Sequence, residues 1–144
     1  MIVLSCWGGY VVEVLAKGLA RDTAYTRIQR MRLTLIQLST FSAKWSRLGL
    51  TDDDLQALES LLLAHPETGV VIPGTGGLRK IRFAPPAWHS GKRGAARVIY
   101  AFIAAGDVAY LFTLYGKNEQ TDITPDEKRV FRQVLERLRG RYRT

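Results

Sequence analysis

The sequence predicts a single α+β domain: a small antiparallel β-sheet packed against helices. Three observations carry that reading. Between Val70 and Lys117, three alternating apolar runs are joined by two turn-rich loops, the pattern of a strand meander. Two segments, opening at Thr51 and Thr124, begin with capping residues and continue with apolar side chains at helical spacing. A length of 144 residues at 47% hydrophobic content suits one domain with a real core and excludes disorder throughout.

Residues 1–30 differ from the rest of the chain. Met1 to Ala20 is apolar but is interrupted by Glu13 and Lys17, and no basic segment precedes it. It fits a secretory signal poorly and is short of a membrane span. Val11, Val12, Leu15 and Leu19 suit one helical stripe. The functional domain is expected to begin near Met31 and to run through 144, with 1–30 as a leader or appendage. From Arg32 to Leu38 the chain reads as a strand, with Leu33, Leu35 and Gln37 on one side. Phe41, Trp45 and Leu48 then mark a short helix that Gly49 ends.

Thr51 caps the next helix, and Asp52, Asp53 and Asp54 fill its first turn, where the helix dipole favours acids. Leu55, Leu58, Leu61 and Leu62 are its buried stripe, and Pro66 stops it. His65 reads as a capping or surface residue. Val70-Val71-Ile72 leads into Pro73-Gly74-Thr75-Gly76-Gly77. A P-loop needs Gly-Lys and Ser or Thr before a helix. Here Arg79-Lys80 and a strand follow, so the match fails and a tight turn with positive φ is expected.

Lys80 and Arg82 alternate with Ile81 and Phe83, which predicts a strand with one cationic and one apolar face. After a loop holding His89, Lys92 and Arg93, Val98, Tyr100 and Phe102 share one face and Arg97, Ile99 and Ala101 the other. Ala105-Gly106-Asp107 is a hairpin turn, and Val108, Tyr110, Phe112 and Leu114 form the third alternating set. Such a meander, burying one face and presenting Lys80, Arg82, Arg97 and Lys117 elsewhere, is a platform for a polyanion. The last helix opens with Thr124 as cap, Pro125 at its first position and Glu127 closing a capping box. Val130, Phe131, Val134, Leu135 and Leu138 are its apolar stripe. Lys128, Arg129, Arg132 and Arg137 make a basic face, solvated or turned to an anionic partner.

Lysine and arginine number 21 against 13 acids, a net charge of +8. Setting residues 1–30 aside removes Lys17, Arg21, Arg27 and Arg30 together with Glu13 and Asp22. That leaves 17 bases and 11 acids, or +6, so the basic character belongs to the domain. Nucleic acid or another anionic partner is favoured. A single cysteine, Cys6, excludes an internal disulfide and a cysteine-based metal site. Two histidines make zinc improbable and restrict the choice of general base.

Three stretches carry a family resemblance: V-I-P-G-T-G-G-L-R-K-I-R, then G-K-R-G-A-A-R-V-I-Y, then L-Y-G-K-N-E-Q-T-D-I-T. Their order and spacing resemble the RelE/HigB toxins of bacterial type II toxin–antitoxin modules, within the RelE/ParE superfamily and nearest its HigB branch. The resemblance runs from about Met31 to about Leu138. It implies a twisted antiparallel sheet of microbial-RNase type and a cytoplasmic, ribosome-dependent endonuclease that cuts mRNA in the A site. It further implies a cognate antitoxin, often of helix-turn-helix type, through which the pair binds operator DNA. No cofactor, metal or membrane is expected.

On that resemblance Lys80, Arg82, Arg97, Tyr115 and Lys117 are the catalytic candidates. Arg79, Lys92, Arg93 and Asn118 are the candidates for RNA or ribosome contact. Attack by the ribose 2′-OH needs a base, charge neutralisation at the phosphate and a protonated leaving group. Arg82 and Arg97 would stabilise the phosphorane. Lys80 or Lys117, with a pKa lowered by neighbouring cations, would serve as base or acid. Tyr115 would stack on a splayed base. Asn118 stands where some relatives carry another basic residue. The same basic face would also serve a non-catalytic RNA- or DNA-binding module, and the same fold a gyrase-targeting toxin of ParE type.

Overall fold

The computed structural model describes residues 2–3, 12–15, 32–86, 88, 95–116 and 122–143. Its strands are β1 (Ile2–Val3), β2 (Val12–Leu15), β3 (Arg32–Gln37), β4 (Val70–Val71), β5 (Arg79–Phe83), β6 (Ala96–Ile103) and β7 (Val108–Gly116). Its helices are α1 (Ser39–Arg47), α2 (Asp52–Ala64) and α3 (Pro125–Gly140). The strands form one sheet in the order β1-β2-β3-β7-β6-β5-β4. Neighbours are antiparallel except β3 and β7, which run parallel, so the sheet is mixed rather than wholly antiparallel. The crossover explains this. After β3 the chain passes through α1 and α2, re-enters at the far edge as β4, and works back until β7 lies beside β3.

Val12–Leu15 is extended, from Val12 opposite Leu35 to Leu15 opposite Arg32. Of the helical stripe expected there, Val12 and Leu15 lie in a strand instead, and Val11 and Leu19 lie outside the described residues. Val12 and Val14 are β-branched, and the outer edge of β3 offers them a ladder to complete.

The helix ends follow their local chemistry. Gly49 closes α1 at φ 69°. The Thr51 hydroxyl accepts from the Asp54 amide at 3.3 Å while the Asp54 carboxylate accepts from the Thr51 amide at 2.8 Å, a complete capping box. Thr124 and Glu127 repeat it at α3, with Pro125 in the first turn. In the turn before β5, Gly74, Gly76 and Gly77 have φ of 78°, 78° and 123°, as the failed P-loop match leads one to expect. Thr75, fully buried, donates to the Ile72 carbonyl and accepts from the Leu78 amide, and Arg139 of α3 donates to the Gly76 carbonyl.

Helices cover both sides of the sheet. On the α1/α2 side Leu33, Leu35, Phe41, Leu58, Leu62, Val98 and Tyr100 make one core. On the α3 side Ile99, Tyr110, Phe112, Phe131 and Leu135 make the other. Each Leu or Phe fully buried in this way contributes roughly 1.5–3 kcal/mol over exposure. The platform with one open face is therefore corrected: Val108 to Tyr115 is buried throughout, because the apolar stripe of α3 closes over it. That stripe is narrower than the sequence suggests, since Val130 is 49% exposed and lines a groove between α1 and α3.

Candidate functional site

The strand register brings cations together at one end of the sheet. Lys80 lies opposite Ile99, Arg82 opposite Arg97, and Arg97 opposite Tyr115. Cross-strand partners share a face. Ile99 and Tyr115 belong to the α3-side core, so Lys80, Arg82 and Arg97 project on that side as well.

Tyr115 reaches that face because of a β-bulge. The register changes between Ile99 opposite Thr113 and Tyr100 opposite Leu111, which leaves Phe112 as an extra residue in β7. Simple alternation groups Leu114 with Val108, Tyr110 and Phe112. In the structure Leu114 instead packs on the α1/α2 side, and Tyr115 turns to the side of Arg97. Two contacts hold the bulge. The Thr40 hydroxyl of α1 donates to the Phe112 carbonyl, and the Phe112 ring meets Phe131 edge-on at 5.4 Å.

A carboxylate sits among these cations. Asp122, just ahead of α3, places Oδ1 3.6 Å from Lys80 Nζ and Oδ2 3.8 Å from Lys128 Nζ. Its Oδ1 also accepts from the Ile123 amide at 2.9 Å. Asp122 is the functional candidate that sequence reading missed; Lys128 enters there only as part of the basic face of the last helix. Lys128 looks like one more base on a solvated helix face, and no spacing links Asp122 to a lysine on β5.

Burial first, then the Asp122 carboxylate, push the Tyr115 phenol up to about 12, with Arg97 acting against them and Glu127 adding to the rise. The phenol therefore keeps its proton at neutral pH and serves as a hydrogen-bond donor rather than a base. Its ring is only 1% exposed, so it presents no open face for base stacking, and that expected role is corrected. Arg97 is the counterpart: its Nη1 is buried and has no hydrogen-bond partner among the described residues. A charged donor in that state is costly until an acceptor arrives. Arg82 and Arg97 also face each other as like charges, an arrangement unfavourable without an anion between them.

Arg79, a candidate for RNA or ribosome contact, lies apart from the other described candidates. It shares the parity of Ile81 and Phe83, so it lies on the opposite side of β5 from Lys80 and Arg82. Its Nη1 donates to the carbonyls of Glu67 at 2.9 Å and Gly69 at 2.8 Å. His65 is the C-cap of α2, its amide donating to the Leu61 carbonyl, and it borders a groove with Phe102 at the other end of β6 from Arg97. Lys92, Arg93, Lys117, Asn118 and His89 lie outside the described residues.

Among the described residues, no group of three or more His, Cys, Asp or Glu side chains is placed to hold a metal ion. No helix among them is long and apolar enough to cross a membrane. The arrangement offers a phosphate several cationic donors. No protein-family model matches the chain.

Proposed function

We propose that this protein is the toxin of a RelE/HigB-type toxin–antitoxin pair: a cytoplasmic, ribosome-dependent endoribonuclease held inactive by a cognate antitoxin. The observation that supports it most is the Arg82–Arg97 pair, set directly opposite one another beside Lys80, with a guanidinium nitrogen of Arg97 buried and unpartnered among the described residues. In this reading the ribose 2′-oxygen attacks the adjacent phosphorus, the P–O5′ bond breaks, and the 5′-oxygen leaves with a proton. Arg82 and Arg97 take up the charge that grows on the phosphoryl oxygens, the largest contribution such a site makes. Tyr115, neutral at pH 7 and buried opposite Arg97, backs the site from within rather than touching the RNA. Lys80 and Lys117 are the remaining candidates for proton transfer.

Primer extension on a defined mRNA in a purified translation system, with and without ribosomes, tests this. Wild type should give ribosome-dependent cuts, and Arg97→Ala and Lys117→Ala should lose them. Folded wild-type protein, freed from antitoxin and unable to cut, would refute the reading.

One observation favours a second reading, a basic module that binds RNA or DNA without cutting. The phenol of Tyr115 is held protonated and Lys80 is in an ion pair, so neither stands as a ready base. Such a module would lose affinity in graded, salt-dependent steps on replacement of Lys80, Arg82 or Arg97.

A further inference from the structure

The Asp122 carboxylate is half exposed and paired with two lysines from different elements. Lys80 approaches one oxygen from β5 and Lys128 approaches the other from the first turn of α3. The side chains of Lys80 and Lys128 are themselves about one-third exposed, at 31% and 32%. Arg97 lies on β6 two residues from Ile99, the cross-strand partner of Lys80, and opposite Tyr115, so it projects on the same α3-covered side of the sheet as Lys80. A carboxylate between two ammonium groups occupies the place a phosphodiester's oxygen pair would take, with the same hydrogen-bond polarity and the same single charge.

We infer that Lys80, Lys128 and Arg97 form a seat for a nucleic-acid phosphate, and that the Asp122 carboxylate is its resident competitor, displaced when the phosphate arrives. The inference rests on the polyanion-binding reading of this face but not on cutting. Lys128 is then a phosphate contact contributed by α3, beyond the sheet cations. Asp122 tempers affinity in the free protein: a phosphodiester must displace a tethered anion, which weakens binding to isolated phosphates. A strand that engages several cations at once loses less.

The competing account gives Asp122 a structural part, neutralising Lys80 and Lys128 and fixing the entry to α3 through the Ile123 amide. The two accounts predict opposite signs. If Asp122 competes, Asp122→Asn, which keeps an oxygen for the Ile123 amide, tightens binding. If Asp122 only supports the fold, the same change leaves binding equal or weaker.

The experiment is a salt titration of binding to a single-stranded oligodeoxynucleotide, which lacks the 2′-OH and cannot be cut. It uses the full chain as wild type, Asp122→Asn, Asp122→Ser and Lys128→Met, with thermal melts to show that each is folded. Asp122→Asn and Asp122→Ser should bind about two- to fivefold more tightly, the range of an exposed ion pair. Their affinity should also fall more steeply with salt. Lys128→Met should bind more weakly, with its salt slope reduced by roughly 0.7. Equal or weaker binding by folded Asp122→Asn and Asp122→Ser overturns the inference, as does an unchanged salt slope for Lys128→Met. Cutting of mRNA is scored separately. Tighter binding by Asp122→Asn with no cutting by any form upholds the seat and refutes the nuclease, and cutting without tighter binding does the reverse.

Discussion

Two arginines on neighbouring strands show how this molecule divides its cations. Arg79 places its guanidinium on the carbonyls of Glu67 and Gly69. Tyr100, opposite it on β6, donates to the Pro66 carbonyl at 2.8 Å and accepts from the Gly69 amide at 2.9 Å. That end of the sheet is closed: side chains satisfy the backbone of the turn after α2, and a Cβ at Gly69 would meet the Tyr100 ring at 2.8 Å. Arg97, at the other end of β6 and on the other face, keeps a buried nitrogen without a partner among the described residues and looks across at a second arginine. Positive charge alone therefore marks nothing. What separates the two is that Arg79 Nη1 is committed to two backbone carbonyls while Arg97 Nη1 has no partner among the described residues.

The largest expected effect sharpens this contrast. Arg97→Ala should reduce ribosome-dependent cutting by about 100-fold or more, the scale of losing one transition-state donor. Its melting temperature should hold or rise, because a buried guanidinium nitrogen without a hydrogen-bond partner among the described residues is removed. A fall in melting temperature matching the loss of cutting would mean that Arg97 is structural.

Next comes a group that the closed side leaves strained. Glu59 in α2 is 2% exposed, with Oε2 unpartnered among the described residues; burial first and Asp52 second push its carboxyl up to about 7. Unfolded, it titrates near 4.5. Between those values the folded chain holds a proton that the unfolded chain has released, so stability falls as pH rises from about 4.5 to about 7. Glu59→Gln should abolish that decline and gain on the order of 2 kcal/mol at pH 8, with little change at pH 4.5. Urea melts at the two pH values decide it, and an equal difference at both would break the account.

Tyr100→Phe removes one donor and leaves the Gly69 amide buried without its acceptor. It should cost about 1–3 kcal/mol in denaturant melts and leave nucleic-acid affinity unchanged. Altered affinity in the folded variant would blur the division between the two ends. The smallest effect concerns the outer strands. Among the residues whose burial is described, both cores are built from Leu33 onward, and a chain started at Met31 is expected to keep a folded circular-dichroism spectrum. It should also self-associate more readily, because the edge of β3 that β2 covers is bared. Loss of the folded spectrum would contradict this.

Local chemistry made much of the fold readable. Thr51 with Asp54 and Thr124 with Glu127 are short-range caps, and they place α2 and α3 to the residue. Gly74, Gly76 and Gly77 likewise require the positive φ that only the loop reading supplies. What the sequence concealed depends on contacts between distant segments. The parallel pairing of β3 with β7 follows from where the chain re-enters the sheet, which no strand's own pattern encodes. The bulge at Phe112 breaks an alternation that continues unbroken in the residue types, so Leu114 and Tyr115 exchange faces without a local sign. Lys80, Arg82 and Arg97 were readable as candidates because alternation fixes their side of the strand. Arg79 follows from the same parity and falls on the opposite side. Asp122 joins the site only through folding, far along the chain from Lys80.

The most direct test sets the two arginines against each other in one preparation, with Arg97→Ala and Arg79→Ala each measured for ribosome-dependent cutting per folded molecule and for thermal stability. The account predicts a crossed result: Arg97→Ala loses cutting and keeps its melting temperature, while Arg79→Ala loses stability and keeps its cutting. Both variants losing both properties, or Arg79→Ala losing cutting while fully stable, would contradict it.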